Sequence, residues 1–140
     1  MTVHLIKMAV GIEDLDDLIE HRRRRREREG EGPCLVRTRH GPRRAEEVLD
    51  GGSIYWVIKG LIRVRQLVLG LVPGTDAEGK PCCVLELDHA LVPTEPQPHR
   101  PFQGWRYFKL EDAPPDRLGG GRLDELPPAL VRELRSLGLL

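Results

Sequence analysis

Three segments of this sequence gather cations beside aromatic or turn residues. Arg37, Arg39, His40, Arg43 and Arg44 surround one strand-to-helix turn. Lys59, Arg63 and Arg65 alternate with apolar residues and run into Gln66. His99, Arg100, Gln103, Trp105, Arg106 and Lys109 form the third group. Guanidinium groups bind phosphates bidentately, and a tryptophan face is a platform for an unpaired base. Sheet-based modules hold single-stranded RNA with aromatics interleaved among cations. The expected nucleic-acid contacts are therefore Arg39, His40, Arg43, Arg44, Lys59, Arg65, Gln66, His99, Gln103, Trp105 and Arg106. In this reading the cations meet phosphates, Trp105 stacks on a base, and Gln66 or Gln103 reads a base edge. The competing reading pairs the arginines with the 22 acidic residues and places the aromatics in the core.

Other chemistries find less support. Cys82 and Cys83 are strand neighbours that point to opposite faces, and no C-x-x-C pair exists, so no metal site is expected. Ser53 follows two glycines but lacks the G-x-S-x-G elbow. Asp50-Gly51-Gly52 lacks the lysine and serine of a phosphate-binding P-loop, and its glycines suit a turn entering a strand. No cofactor motif is present. His40 and His99 lie among arginines, where a nearby cation would keep a histidine neutral and able to accept a proton. This leaves an enzyme on a phosphorylated or nucleotide substrate as an alternative, with one of these histidines as base and arginines as anion clamp. A further alternative is a protein-interaction module presenting the proline-rich stretch 92–101.

The elements that must position these residues are organised around residues 50–69, the longest apolar run. It opens on Asp-Gly-Gly and carries Tyr55 and Trp56. Its β-branched and aromatic residues predict two strands, 53–58 and 61–72, broken at Gly60. An opening strand is expected over 2–10. A helix over 12–27 follows, with Asp and Glu near its start and Arg22–Arg26 near its end, as the helix dipole favours. The arginine run reads as a solvated helix end. A second strand, 33–39, and a short helix, 43–50, precede the central pair. The polar tip 75–80 turns strand 61–72 back into strand 82–87, making them antiparallel neighbours. Prolines 93, 96, 98 and 101 forbid a helix or an inner strand, so this stretch should lie extended across a surface. It delivers four of the six aromatics within 102–109, expected as an edge strand. Pro127-Pro128 starts a terminal helix, 127–137.

The totals fit one domain, 1–140, large enough for a core. Lys+Arg and Asp+Glu balance at 22 each, so net charge announces neither nucleic acid nor membrane. No signal peptide and no apolar run near the ~20 residues of a membrane span are expected. Three cysteines argue against a disulfide framework and for a reducing, cytoplasmic setting.

Val3–Lys7, Asp50–Gly60, Thr94–Pro98, Phe102–Tyr107 and Glu111–Pro114 together resemble a family of alphaproteobacterial proteins of unknown function. The likeness runs over nearly the whole chain and implies a bacterial cytoplasmic protein, with no activity to carry over. The run Arg22–Arg26 departs from it. The element order is also similar to that of PUA-like and ASCH-type small barrels, which bind RNA or modified bases between barrel and helices. The expected fold is therefore α+β, a curved and mostly antiparallel sheet or partial β-barrel (PUA-like) with flanking helices. The leading expected function is RNA binding, with no membrane partner.

Overall fold

The computed structural model describes residues 1–117 and Arg132. The expected helix 127–137 therefore falls almost entirely outside the described residues. The fold is α+β, with seven strands in one open, mixed sheet and two helices among residues 1–117. In chain order these are β1 (His4–Met8), α1 (Leu15–Glu29), β2 (Cys34–Thr38), α2 (Ala45–Leu49) and β3 (Ser53–Ile58). Then come β4 (Leu61–Thr75), β5 (Pro81–Leu87), β6 (Val92–Pro98) and β7 (Trp105–Phe108). A single 3-10 turn, Leu110–Asp112, follows.

The strand order is β2-β5-β4-β3-β1-β7, with β6 also paired to β4. Among the described strands only β1 and β3 run parallel, because the chain returns to β3 through α1, β2 and α2. β3 is buried on both faces along its whole length, as a central strand should be. Ile54, Trp56 and Ile58 pack with Leu15 and Leu18 of α1, whereas Tyr55 and Val57 pack with Ile6, Ile62 and Phe108 on the other face. The β3–β4 hairpin turns on Lys59 and Gly60, at φ 49° and 82°. Two residues of positive φ give the turn whose twist matches a strand pair.

Local chemistry explains α1. The Asp14 carboxylate caps it by accepting from the Asp17 N–H at 2.8 Å, and Asp16 and Asp17 sit in the first turn. Gly30, at φ 84°, ends it by donating to the Arg26 carbonyl. Gly52 is required for a different reason. A Cβ there would fall far inside contact distance of the Val3 and Val48 carbonyl oxygens.

The proline-rich stretch departs from expectation by joining the sheet. Pro93 and Pro98 lie opposite Val64 and Leu61, so β6 is an edge strand on β4. Its other side is held too, by the Thr94–Asp116 bridge and by the Glu95 N–H donating to the Pro115 carbonyl at 2.9 Å. Thr94 and Glu95 are thus held on the side away from β4 as well.

β5 and β6 share one edge of β4. Leu67 and Val68 are successive residues, and successive strand residues direct their backbone groups to opposite edges. The Val68 N–H donates to Gly52, next to β3, while the Leu67 carbonyl accepts from Asp88, at the end of β5. Gln66 fills the gap between β5 and β6. It is fully buried, donates from Nε2 to the Asp88 carbonyl at 2.9 Å, and accepts from Trp56 Nε1 at 3.0 Å. Substituting Gln66→Leu should lower stability, since each buried group left unpaired costs about 1–3 kcal/mol. Urea denaturation reads this as a lower midpoint at unchanged slope. A loss below about 1 kcal/mol would show that the amide does not hold this junction.

Candidate functional site

β2 and β7 are the two ends of the sheet path, yet side chains tie them together. Trp105 Nε1 donates to the His40 carbonyl at 2.7 Å, just past the end of β2. The Arg44 N–H donates to the Tyr107 hydroxyl at 3.0 Å. Trp105 and Tyr107 meet edge to face, with ring centroids 5.0 Å apart. The Arg44 guanidinium lies 5.2 Å above the Tyr107 ring and makes a fork onto the Glu47 carboxylate. The open, curved sheet thus has its two ends joined by a seam of side chains rather than a backbone ladder.

This seam unites part of the expected site. Arg39, His40, Arg43, Arg44 and Trp105 come together on it. Arg37, Arg39 and Arg43 are exposed there without an acidic partner among the described residues.

The remaining expected contacts lie elsewhere. Lys59 sits in the β3–β4 turn, 3.2 Å from Glu13. His99 packs edge-on against Phe102, and the Arg106 guanidinium lies 4.7 Å over the same ring, on the opposite face from Trp105. Gln103 is exposed in the bend before β7. Two expectations are corrected outright. Gln66 cannot read a base edge, because it is buried and both ends of its amide are used inside the protein. Arg65 is not a free phosphate contact, because it forks onto Asp116 with two bonds of 2.7 Å and donates to Ser53 Oγ at 3.0 Å.

Beside the seam is a cavity of about 370 Å³ between α1, β1 and β2, which sequence reasoning missed. Lys7, Arg22, Arg25 and Arg37 line it with His21, and its apolar wall includes Trp56 and Leu18. Among the described residues no acidic residue lines it. Lys7 lies directly across from Trp105 in the β1–β7 pair, which joins the cavity to the seam. The Arg22 guanidinium lies 5.3 Å over the Trp56 ring, and its Nε is buried without a hydrogen-bond partner among the described residues. Burial lowers the Lys7 pKa from its ordinary value. Burial also lowers that of Arg22, with Cys34 opposing the shift and Arg25 adding to it. Arg25 is neutralised by Glu29, at 3.2 Å. The sequence signal was helical spacing. Leu15, Leu18, Arg22 and Arg25 are one stripe of α1, so two arginines continue its buried face.

Arg23, Arg24 and Arg26 do behave as a solvated helix end, each paired with Glu20, Glu27 or Glu31. Among the described residues no group of His, Cys, Asp and Glu is placed to hold a metal ion.

On the far face of the sheet a second polar cluster joins His4, Ser53, Arg65 and Asp116. It is not a nucleophile and base. His4 Nδ1 accepts from the Ser53 backbone N–H at 3.0 Å, while the Ser53 hydroxyl accepts from Arg65. His40 shares a wide groove with Arg37 and Arg39, and Asp76 and Glu78 line the same groove.

The model of a family of proteins of unknown function, DUF1489, matches residues 5–140, and the chain belongs to that family. No curated protein and no solved structure is significantly similar to it.

The His4 cluster carries a pH dependence. Burial foremost, and then the Arg65 charge, lower the His4 pKa, with Asp116 opposing. The unfolded chain therefore binds this proton at higher pH than the folded one, and stability is lost as pH falls below about 6.5. Urea midpoints at pH 7.5 and 5.5 should separate less in His4→Gln, which keeps an acceptor for Ser53 without titrating. Equal separation in both proteins would remove His4 from the account.

Proposed function

We propose that this DUF1489 protein is an RNA-binding module whose contact surface is the basic seam. The observation behind the reading is the bond pair Trp105 to His40 and Arg44 to Tyr107, which brings two distant basic and aromatic segments onto one surface. Arg37, Arg39 and Arg43 are its phosphate contacts, since they are exposed and form no ion pair among the described residues, with Asp76 and Glu78 lining the groove beside Arg37 and Arg39. Trp105 supplies a fixed aromatic ring beside them, its indole nitrogen already held by His40. Arg44 shapes the surface rather than contacting RNA, because Glu47 holds its guanidinium. The curled, helix-flanked sheet is taken as PUA-like in layout. A bacterial cytoplasmic setting agrees with three free cysteines, and among the described residues no helix is long and apolar enough to cross a membrane.

Purified protein should bind mixed cellular RNA and a short single-stranded oligomer, with affinity falling steeply as salt rises. Arg39→Ala with Arg43→Ala should weaken binding and flatten the salt dependence by about 0.7 per lost phosphate contact on a log–log plot. Lys59→Ala with Arg106→Ala, away from the seam, should leave it unchanged. Absence of binding at low salt, or equal effects of both pairs, overturns the reading.

A further inference from the structure

We propose that the cavity between α1, β1 and β2 is a binding site for a phosphate monoester dianion, held by Lys7 and Arg22 with Arg37 at its mouth. The site opens beside the seam, and the inference rests on the RNA reading only for where such a phosphate comes from. An RNA end and a free nucleotide carry the same group.

Three observations converge. The first is charge. Among the residues lining the cavity, Lys7 and Arg22 are partly buried cations without a carboxylate partner among the described residues, and Arg37 adds a third charge in the same condition at the rim. Withdrawing a cation from water without a partner is costly, and an anion entering the cavity offsets that cost. Two such cations balance a dianion, whereas a backbone diester brings one charge.

The second is the placement of Arg22. Arg22 Nε is buried with no acceptor among the described residues. This nitrogen has no surface open to the cavity, so the other guanidinium nitrogens of the partly buried Arg22 are the donors that can reach an anion there. The side chain is held in place from below by Trp56, whose own indole nitrogen is fixed by Gln66. An arginine already positioned loses less freedom on gripping phosphate.

The third is shape. At about 370 Å³ the cavity falls in the range of small-ligand sites. Ile12, Leu18 and Trp56 give it an apolar wall.

The test titrates the full chain with adenosine 5′-monophosphate, adenosine and the cyclic 3′,5′-monophosphate by calorimetry. A parallel arm compares one RNA oligomer carrying a 5′-phosphate or a 5′-hydroxyl. The monophosphate should bind, adenosine should not, and the cyclic diester should bind about tenfold more weakly for loss of one charge. Monophosphate binding should tighten between pH 5 and 7.5, as the second proton leaves with a pKa of about 6.

Arg22→Met and Lys7→Met should each weaken monophosphate binding about tenfold or more. They should also leave thermal stability equal or raised, since each removes an unpaired cation from a partly buried site. A purely structural role predicts the reverse on stability. Arg37→Ala, at an exposed position, provides a variant free of folding effects and should weaken binding several-fold.

Binding of the free nucleotide, or a preference for the 5′-phosphorylated oligomer, supports the site and identifies its source. Monophosphate binding without any RNA binding keeps the site and removes the RNA reading. RNA bound equally with either end, together with no monophosphate binding, overturns the site and leaves the RNA reading standing. Monophosphate binding indifferent to Arg22→Met, Lys7→Met and Arg37→Ala overturns it as well.

Discussion

The buried amide of Gln66 is the interaction on which most of this architecture depends. β4 serves three strands, and where β5 ends and β6 begins its edge has no continuous partner. An unmet carbonyl at such a junction would be expensive inside a core. Gln66 meets it from the same strand, and with its other end fixes the Trp56 indole. Trp56 in turn underlies Arg22. A break in the sheet and the floor of the cavity are thus determined by one side chain with no exposed surface.

The seam shows a second economy. An open sheet leaves two end strands with unpaired edges, which invite pairing with other chains. Here the ends are β2 and β7, and Trp105 and Tyr107 cover the approach by bonding to main-chain groups at His40 and Arg44. Side-chain closure does not demand the regular spacing of a ladder. The cavity lined by α1, β1 and β2 opens beside this side-chain closure.

What was legible in the sequence follows from how local each signal is. The 53–58 and 61–72 strands and their break at Gly60 rest on turn chemistry, and β3 and β4 bear them out. Strand 82–87 as an antiparallel neighbour of β4 is likewise confirmed, and so is residues 102–109 as an edge strand. The prolines of β6 misled only in degree: they exclude an inner strand, and an edge position satisfies them. The α+β class with a curved sheet was readable from element order. Gln66 and Arg65 were not readable as internal, because both interrupt an apolar strand as a solvent-facing residue would. What distinguishes them is a tryptophan ten residues back and an aspartate far along the chain. Lys7 and Arg22 were missed for the same reason, since their shared cavity exists only once the sheet has curled.

The arginines of α1 carry the strongest argument that the cavity charge is not incidental. Within one run of five, Arg23, Arg24, Arg25 and Arg26 each have a glutamate partner, mostly one helical turn away. Neutralising a cation on this helix is therefore easily achieved by its sequence. Arg22, on the stripe that faces the sheet, is the one left without a carboxylate among the described residues, and Lys7 across the cavity shares that condition. Apolar residues at both positions would continue the stripe of Leu15 and Leu18 and avoid the desolvation cost altogether. Two cations without a carboxylate among the described residues, placed where leucines would serve and beside a cavity of ligand size, carry a desolvation cost that the proposed anion would offset.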